Sequence, residues 1–167
     1  MKNPLIKRHI IFWVIALAGI GIDQLTKNLV QTHIELNHVI KIWWIFGISH
    51  VHNTGAAWGI FRNSTVALAV FSAVAAVAIG VFFLVFSHKI KFMESVSFTI
   101  AFSLIFSGTV GNLIDRAFVG YVTDFIQVGN FPNFNIADSC IVCGSILLAI
   151  LLIFFSKDES SEQEEES

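Results

Sequence analysis

The chain has 167 residues, 55% of them hydrophobic and 13% charged, with a mean hydropathy of +0.75. A water-soluble domain of this length cannot hide that much apolar surface, so composition excludes an ordinary soluble enzyme and points to the bilayer as solvent. The net charge of −2 says little about the body, because Asp158, Glu159, Glu162, Glu164, Glu165 and Glu166 crowd the last ten residues and leave the rest slightly basic.

The first apolar run begins at Ile10, behind the basic cluster Lys7-Arg8-His9, and contains Ala16-Leu17-Ala18, which superficially resembles a cleavable secretory signal. The helical spacing continues without a turn signal through Asp23, Gln24, Thr26 and Lys27 to Val30, and so predicts a retained spanning helix over residues 10–30. Residues 31–65 are apolar but punctuated by Lys41, Gly47, His50, His52, Gly55 and Gly59. Paired Trp43 and Trp44 suit the headgroup level, and Ile48-Ser49-His50-Val51-His52 alternates weakly like a strand. This outer segment is expected to be a small β-rich subdomain with a short interfacial helix, lying on the membrane. His50 and His52 share one face of such a strand, but without a nearby carboxylate they read as surface histidines and not as metal ligands.

Residues 66–87 carry no charge in 22 positions, and further apolar runs cover 96–114 and 136–155. Each is close to the roughly 20 residues a spanning helix needs. The predicted fold class is therefore an all-α integral membrane protein with four transmembrane helices, one domain over residues 1–156 and an acidic tail over 157–167. That tail has too little apolar content to fold alone and is expected to be a disordered cytoplasmic end. Lys2, Lys7, Arg8, Lys89, Lys91 and Lys157 fall on one side of the membrane against Lys27, Lys41, Arg62 and Arg116 on the other, which orients both termini to the cytoplasm. Cys140 and Cys143, inside an apolar run, read as packing residues.

Outside the tail the only acids are Asp23, Glu35, Glu94, Asp115, Asp124 and Asp138. All four aspartates map to one membrane face: Asp23 toward the outer end of the first helix, Asp115 at the end of the third, Asp124 in the outer loop and Asp138 at the start of the fourth. Charge near hydrocarbon costs about 2.5–3.5 kcal/mol at a helix centre on insertion scales, so such a gathering implies a function or a set of ion pairs. Asp23 has Lys27 four residues on, and Asp115 adjoins Arg116; both read as scaffold pairs. Asp124 and Asp138 have no basic neighbour and form a candidate dyad in which two carboxyls share one proton, one acting as base toward water and the other as acid. Asn135 opens the competing account of Asp138, a carboxylate at a capped helix start. Asn53, Asn112, Asn135 and Arg116 supply donors suited to holding a peptide backbone beside a dyad. Gly108 and Gly111 fit close helix approach.

Four stretches, in order, resemble the lipoprotein signal peptidases (signal peptidase II): Asp23-Gln24-Leu25-Thr26-Lys27; Asn53-Thr54-Gly55-Ala56-Ala57-Trp58-Gly59; Gly111-Asn112-Leu113-Ile114-Asp115-Arg116; and Val122-Thr123-Asp124-Phe125 followed by Phe134-Asn135-Ile136-Ala137-Asp138-Ser139. Thr123 and Phe131 depart from the family's usual residues. The resemblance implies catalytic aspartates at Asp124 and Asp138, a site shaped by Asn53, Gly55, Asn112, Arg116 and Asn135, and support from Asp23, Lys27 and Asp115. It implies hydrolysis of diacylglyceryl-modified prolipoproteins just before the lipidated cysteine, near the outer leaflet of a bacterial inner membrane. It also implies membrane lipid around a monomeric enzyme, no nucleic-acid partner, no metal and no organic cofactor. The rival classes are a proton-coupled carrier, which would spread acids over several depths, and a non-enzymatic assembly subunit, which leaves Asp124 and Asp138 unexplained.

Overall fold

The computed structural model describes residues 4–55, 64–89 and 91–165. Four helices are each long and apolar enough to cross a membrane: α1 (Pro4–His33), α2 (Thr65–Phe86), α3 (Val96–Phe118) and α4 (Ile136–Glu165). Between them lie strands β1 (Val39–Trp43), β2 (Phe46–Asn53) and β3 (Val122–Val128), and a short 3-10 turn at Lys91–Glu94.

The bundle is arranged around α3. Half of its apolar window is buried inside the protein, against 11–17% in the other three helices, so α3 is the central helix and the others offer most of their surface to lipid. Its buried face is small and polar, including Thr99, Ser103, Ser107, Gly108, Gly111, Asn112 and Asp115, while large apolar side chains such as Val70, Phe71 and Val74 of α2 point outward. In a bilayer this is a sensible distribution, since close backbone approach and polar contacts, not apolar burial, hold helices together. A Cβ on Gly108 would collide with the Ala137 carbonyl oxygen of α4, and one on Gly111 would lie 2.6 Å from Asp23 Oδ2 of α1. Larger residues at these two positions would wedge α3 away from both partners.

Local signals set the helix ends. Ser95 caps α3 by accepting from the Phe98 backbone N–H at 3.1 Å. At the other end Gly120, at φ +85°, takes the left-handed conformation that turns the chain into β3. Arg8, buried in α1, donates to the backbone carbonyls of Ser87 at 2.9 Å and Met93 at 3.0 Å, placing a cation at the carbonyl end of α2. Phe12 of α1 stacks on Phe83 of α2 with ring centroids 4.1 Å apart, in the apolar core near that end.

The strands form one antiparallel sheet in the order β1-β2-β3. Ile48 pairs with Ile126 and Val51 with Asp124, so β2 carries one residue more than β3 over this interval. The bulge re-aims the end of β2 and sets Asn53 opposite Val122. At the hairpin tip Trp43 and Trp44 are 70% and 87% exposed, ring surface that the protein itself leaves bare.

Several expectations change. Asp124 lies on a strand, not in a loop, and β3 as a whole was not legible as one because its four leading residues are buried on both faces. His50 is buried, with Nδ1 2.8 Å from the Ile34 carbonyl, so it is not a surface histidine; it does share a face with His52, their ring centroids 5.1 Å apart. The helices α1 and α3 run past residues 30 and 114. The acidic stretch from Lys157 continues α4 to Glu165, since extending a formed helix avoids the nucleation cost a free segment faces. The interfacial helix expected within 31–65 finds no counterpart among the described residues of that segment, and 56–63 lie outside them.

Candidate active site

The four aspartates that the sequence gathers at one face form two groups. Asp124 and Asp138 line a cavity of about 950 Å³ together with Asn53, Gly55, Asn112 and Arg116. Asp23 and Asp115 are buried behind its wall, on either side of Lys27.

Each cavity carboxyl is held by neutral donors. Asp124 Oδ2 accepts from Asn53 Nδ2 and its Oδ1 from Asn135 Nδ2, both at 2.8 Å. Asp138 Oδ1 accepts from Asn112 Nδ2 at 2.7 Å, and its Oδ2 from the Asn135 backbone N–H at 3.2 Å. Asn135 Oδ1 in turn accepts from the Asp138 backbone N–H at 2.9 Å, completing a reciprocal capping box at the start of α4. Helix cap and site residue, competing accounts of Asp138 in the sequence, are thus one set of bonds. No hydrogen bond joins the two carboxyls directly among the described residues; Asn135 bridges them, side chain to Asp124 and backbone to Asp138.

Burial pushes the Asp124 carboxyl up to about 7, and the charge of Asp138 pushes the same way, against the opposing pull of the Asn53 and Asn135 amides and of Lys27. At neutral pH this carboxyl is close to half protonated, the condition for a pair that carries one proton between two acids. Arg116 donates through Nη2 to the Gly55 carbonyl at 3.4 Å, which ties α3 to the chain just past β2. Gly55 also donates its N–H to Asn53 Oδ1 at 2.9 Å, orienting the amide that holds Asp124.

Behind the wall the chemistry is different. Lys27 Nζ lies 2.8 Å from Asp23 Oδ2 and 3.1 Å from Asp115 Oδ2, with all three side chains almost fully buried. The expected Asp115–Arg116 pair does not form: neighbours on a helix point about 100° apart, and Asp115 instead meets Lys27, Gln24 Nε2 at 2.9 Å and the Thr123 backbone N–H at 3.1 Å. Gln24, to which the sequence alone assigns no role, also donates to the Gly111 carbonyl at 3.1 Å and so ties α1 to α3 beside the buried aspartates. The apolar cavity wall contributed by the spanning helices, including Leu68, Phe71, Ile141 and Val142, was also missed, because there such residues look like any lipid-facing ones. His52 lies on this wall, stacked on Tyr121 with centroids 3.6 Å apart; burial, then His50, push its imidazole below the usual histidine range. No group of three or more metal-ligating side chains occurs among the described residues.

Residues 15–154 match the family described as Signal peptidase (SPase) II. The chain belongs to the signal peptidase II family. Among curated relatives, a lipoprotein signal peptidase of Dehalococcoides mccartyi (strain ATCC BAA-2266 / KCTC 15142 / 195) is 44% identical over 147 residues, covering 87% of this chain and 91% of the relative. One from Francisella tularensis subsp. novicida is 34% identical over 160 residues, 92% of this chain and 98% of the relative. A solved structure described as a bacterial membrane enzyme, determined by the in meso method, superposes with a TM-score of 0.78 at 32% identity over 88% of this chain and 90% of that one. As a signal peptidase II the chain is an aspartic-type protease that processes lipoproteins, and a multi-pass bacterial membrane protein. Membership removes the carrier and the assembly subunit from consideration.

Proposed function

We propose that Asp124 and Asp138 are the catalytic dyad, and that they activate water to hydrolyse the bond immediately before the diacylglyceryl-modified cysteine of a prolipoprotein. The observation that carries this reading is the convergence of the two carboxyls on one cavity, each held by amides and neither in a salt bridge among the described residues. The ionised member takes a proton from water as the oxygen attacks the scissile carbonyl; the protonated member gives its proton to the departing nitrogen. Because the two titrate as a unit, base and acid are roles of the pair. Arg116, on the cavity wall, offers the site its cation for the substrate backbone. The apolar wall suits a lipidated substrate, since diacyl chains gain nothing from a polar groove.

In this reading the cavity opens near the outer leaflet, both termini face the cytoplasm, and the enzyme acts as a monomer surrounded by lipid. The basic residues at the end of the bundle that carries Arg8 and Lys89 support that orientation, and the bare indoles of Trp43 and Trp44 support an outer headgroup depth for the sheet. The test is cleavage of a purified diacylglyceryl-modified precursor by wild type, Asp124→Asn and Asp138→Asn. Loss in both variants, with the fold kept, is the expected result; turnover that survives both substitutions removes the dyad.

A further inference from the structure

The two buried aspartates make a pair of contacts that ion pairing alone does not require. Asp115 Oδ2 accepts the backbone N–H of Thr123, the residue immediately before Asp124. Asp23 Oδ1 accepts the backbone N–H of Ala137, the residue immediately before Asp138, at 2.8 Å. Each cavity aspartate is therefore preceded by a peptide N–H anchored to a buried carboxylate. Lys27 joins the two anchors, and its third contact is Asn112 Oδ1 at 3.1 Å. Asn135 Nδ2 also donates to that oxygen, at 3.2 Å. With two donors on Oδ1, the Asn112 amide has only one sensible orientation, the one that turns Nδ2 toward Asp138.

We infer that Lys27 is a positioning residue of the reaction: through Asp23 and Asp115 it sets how far apart β3 and α4 hold the two catalytic carboxyls, and through Asn112 it sets which way the amide on Asp138 faces. The inference rests on the dyad reading above. Its content goes beyond a structural salt bridge, because an ion pair that merely holds α1 to α3 has no reason to reach the peptide before each catalytic residue or the amide that touches one of them. Among the described residues, the charged and titratable groups packed around the dyad are Asp23 and Lys27 from α1, Asp115 and Arg116 from α3, and, on the cavity wall, His52 from β2 and Cys143 from α4. Lys27 is the cation joined to the dyad by a single intervening side chain, and its field draws the Asp124 carboxyl down.

A direct Lys27→Met change would strand two buried carboxylates beside each other, so the test uses the charge-matched pair Lys27→Met with Asp23→Asn. Asn at position 23 keeps an acceptor for the Ala137 N–H, and the buried site keeps one net negative charge. The full-length protein in detergent is assayed on a diacylglyceryl-modified precursor, with Asp124→Asn as the control that reports on the dyad itself. The expected result is a kcat about tenfold lower or more, a KM within about twofold, and a pH–rate profile displaced upward by roughly half a unit or more as a cation near the dyad is lost. A profile that superposes on wild type, with turnover falling only as the folded fraction falls, overturns the inference and returns Lys27 to a structural role. Should the double variant not fold, Lys27→Arg carries the test. The charge remains, but a planar fork cannot reproduce a point contact to three oxygens, so kcat falls with thermal stability held; wild-type kcat and pH profile in Lys27→Arg overturn the inference as well. Full activity in Asp124→Asn instead sinks the dyad reading, whatever Lys27 does.

Discussion

Four aspartates sit at one end of this bundle, and they divide by their partners. Asp23 and Asp115 share a buried ammonium and receive peptide N–H groups; Asp124 and Asp138, among the described residues, receive amides and face a cavity. The same side chain at similar depth is thus tied to a cation in one setting and held by neutral donors in the other. A cation within about 3 Å favours the charged form, whereas burial with neutral donors leaves room for the proton.

The sharpest way to break this contrast is to exchange carboxylate for amide in the cavity. Asp124→Asn or Asp138→Asn should reduce cleavage by about 10³-fold or more, since the proposed reaction needs both a carboxylate and a carboxylic acid. Thermal unfolding in detergent should show the fold intact. Removing the cation on the other side should lower stability as well as turnover: Lys27→Met on its own should cost about 3–5 kcal/mol, the usual penalty for breaking a buried pair and leaving charge behind. A denaturant or thermal titration beside wild type measures it.

Gly108→Ala should cost about 1–3 kcal/mol, because the added methyl meets the Ala137 carbonyl and forces α3 from α4. Asn135→Ala should cost about 1 kcal/mol as a lost cap, yet reduce turnover further than that loss of stability implies, because the lost side chain both holds the Asp124 carboxyl and accepts the Asp138 backbone N–H. The smallest effect is on pH. The folded Asp124 sits near 7 against 3.8 for the free side chain, so the folded state holds a proton that the unfolded chain has released. Its contribution to stability is full below about 4 and is lost as pH rises through about 7. The melting temperature of wild type should therefore fall by a few degrees between pH 5 and 8 relative to Asp124→Asn, which has no such proton to lose.

The bundle was legible because hydropathy over about 20 residues does not depend on knowing which face is which. The ends of α1 and α3 were less so. Asn112, Asp115 and Arg116 break the apolar pattern, yet they are helical because their polar groups turn inward to the site. Strand β3 hides for a related reason: Thr123 and Asp124 are both buried, one toward Gln31 and the other toward the amides, so no alternation of polar and apolar marks it. The candidate dyad could be picked out by subtraction, as the aspartates without a basic neighbour. The true partner of Asp115 could not, since Lys27 reaches it across 88 positions of chain and sequence adjacency pointed to Arg116 instead.

The tip of the β1–β2 hairpin has a consequence for how such an enzyme is studied. Its two uncovered indoles are joined along β2 to Asn53, and Asn53 grips Asp124. A vertical shift of those rings, as a thicker or thinner host bilayer would impose, would reach, through β2 and its bulge, the side chain that holds Asp124. Acyl-chain length should then act as a kinetic variable, with rates in short-chain micelles and in long-chain vesicles expected to differ.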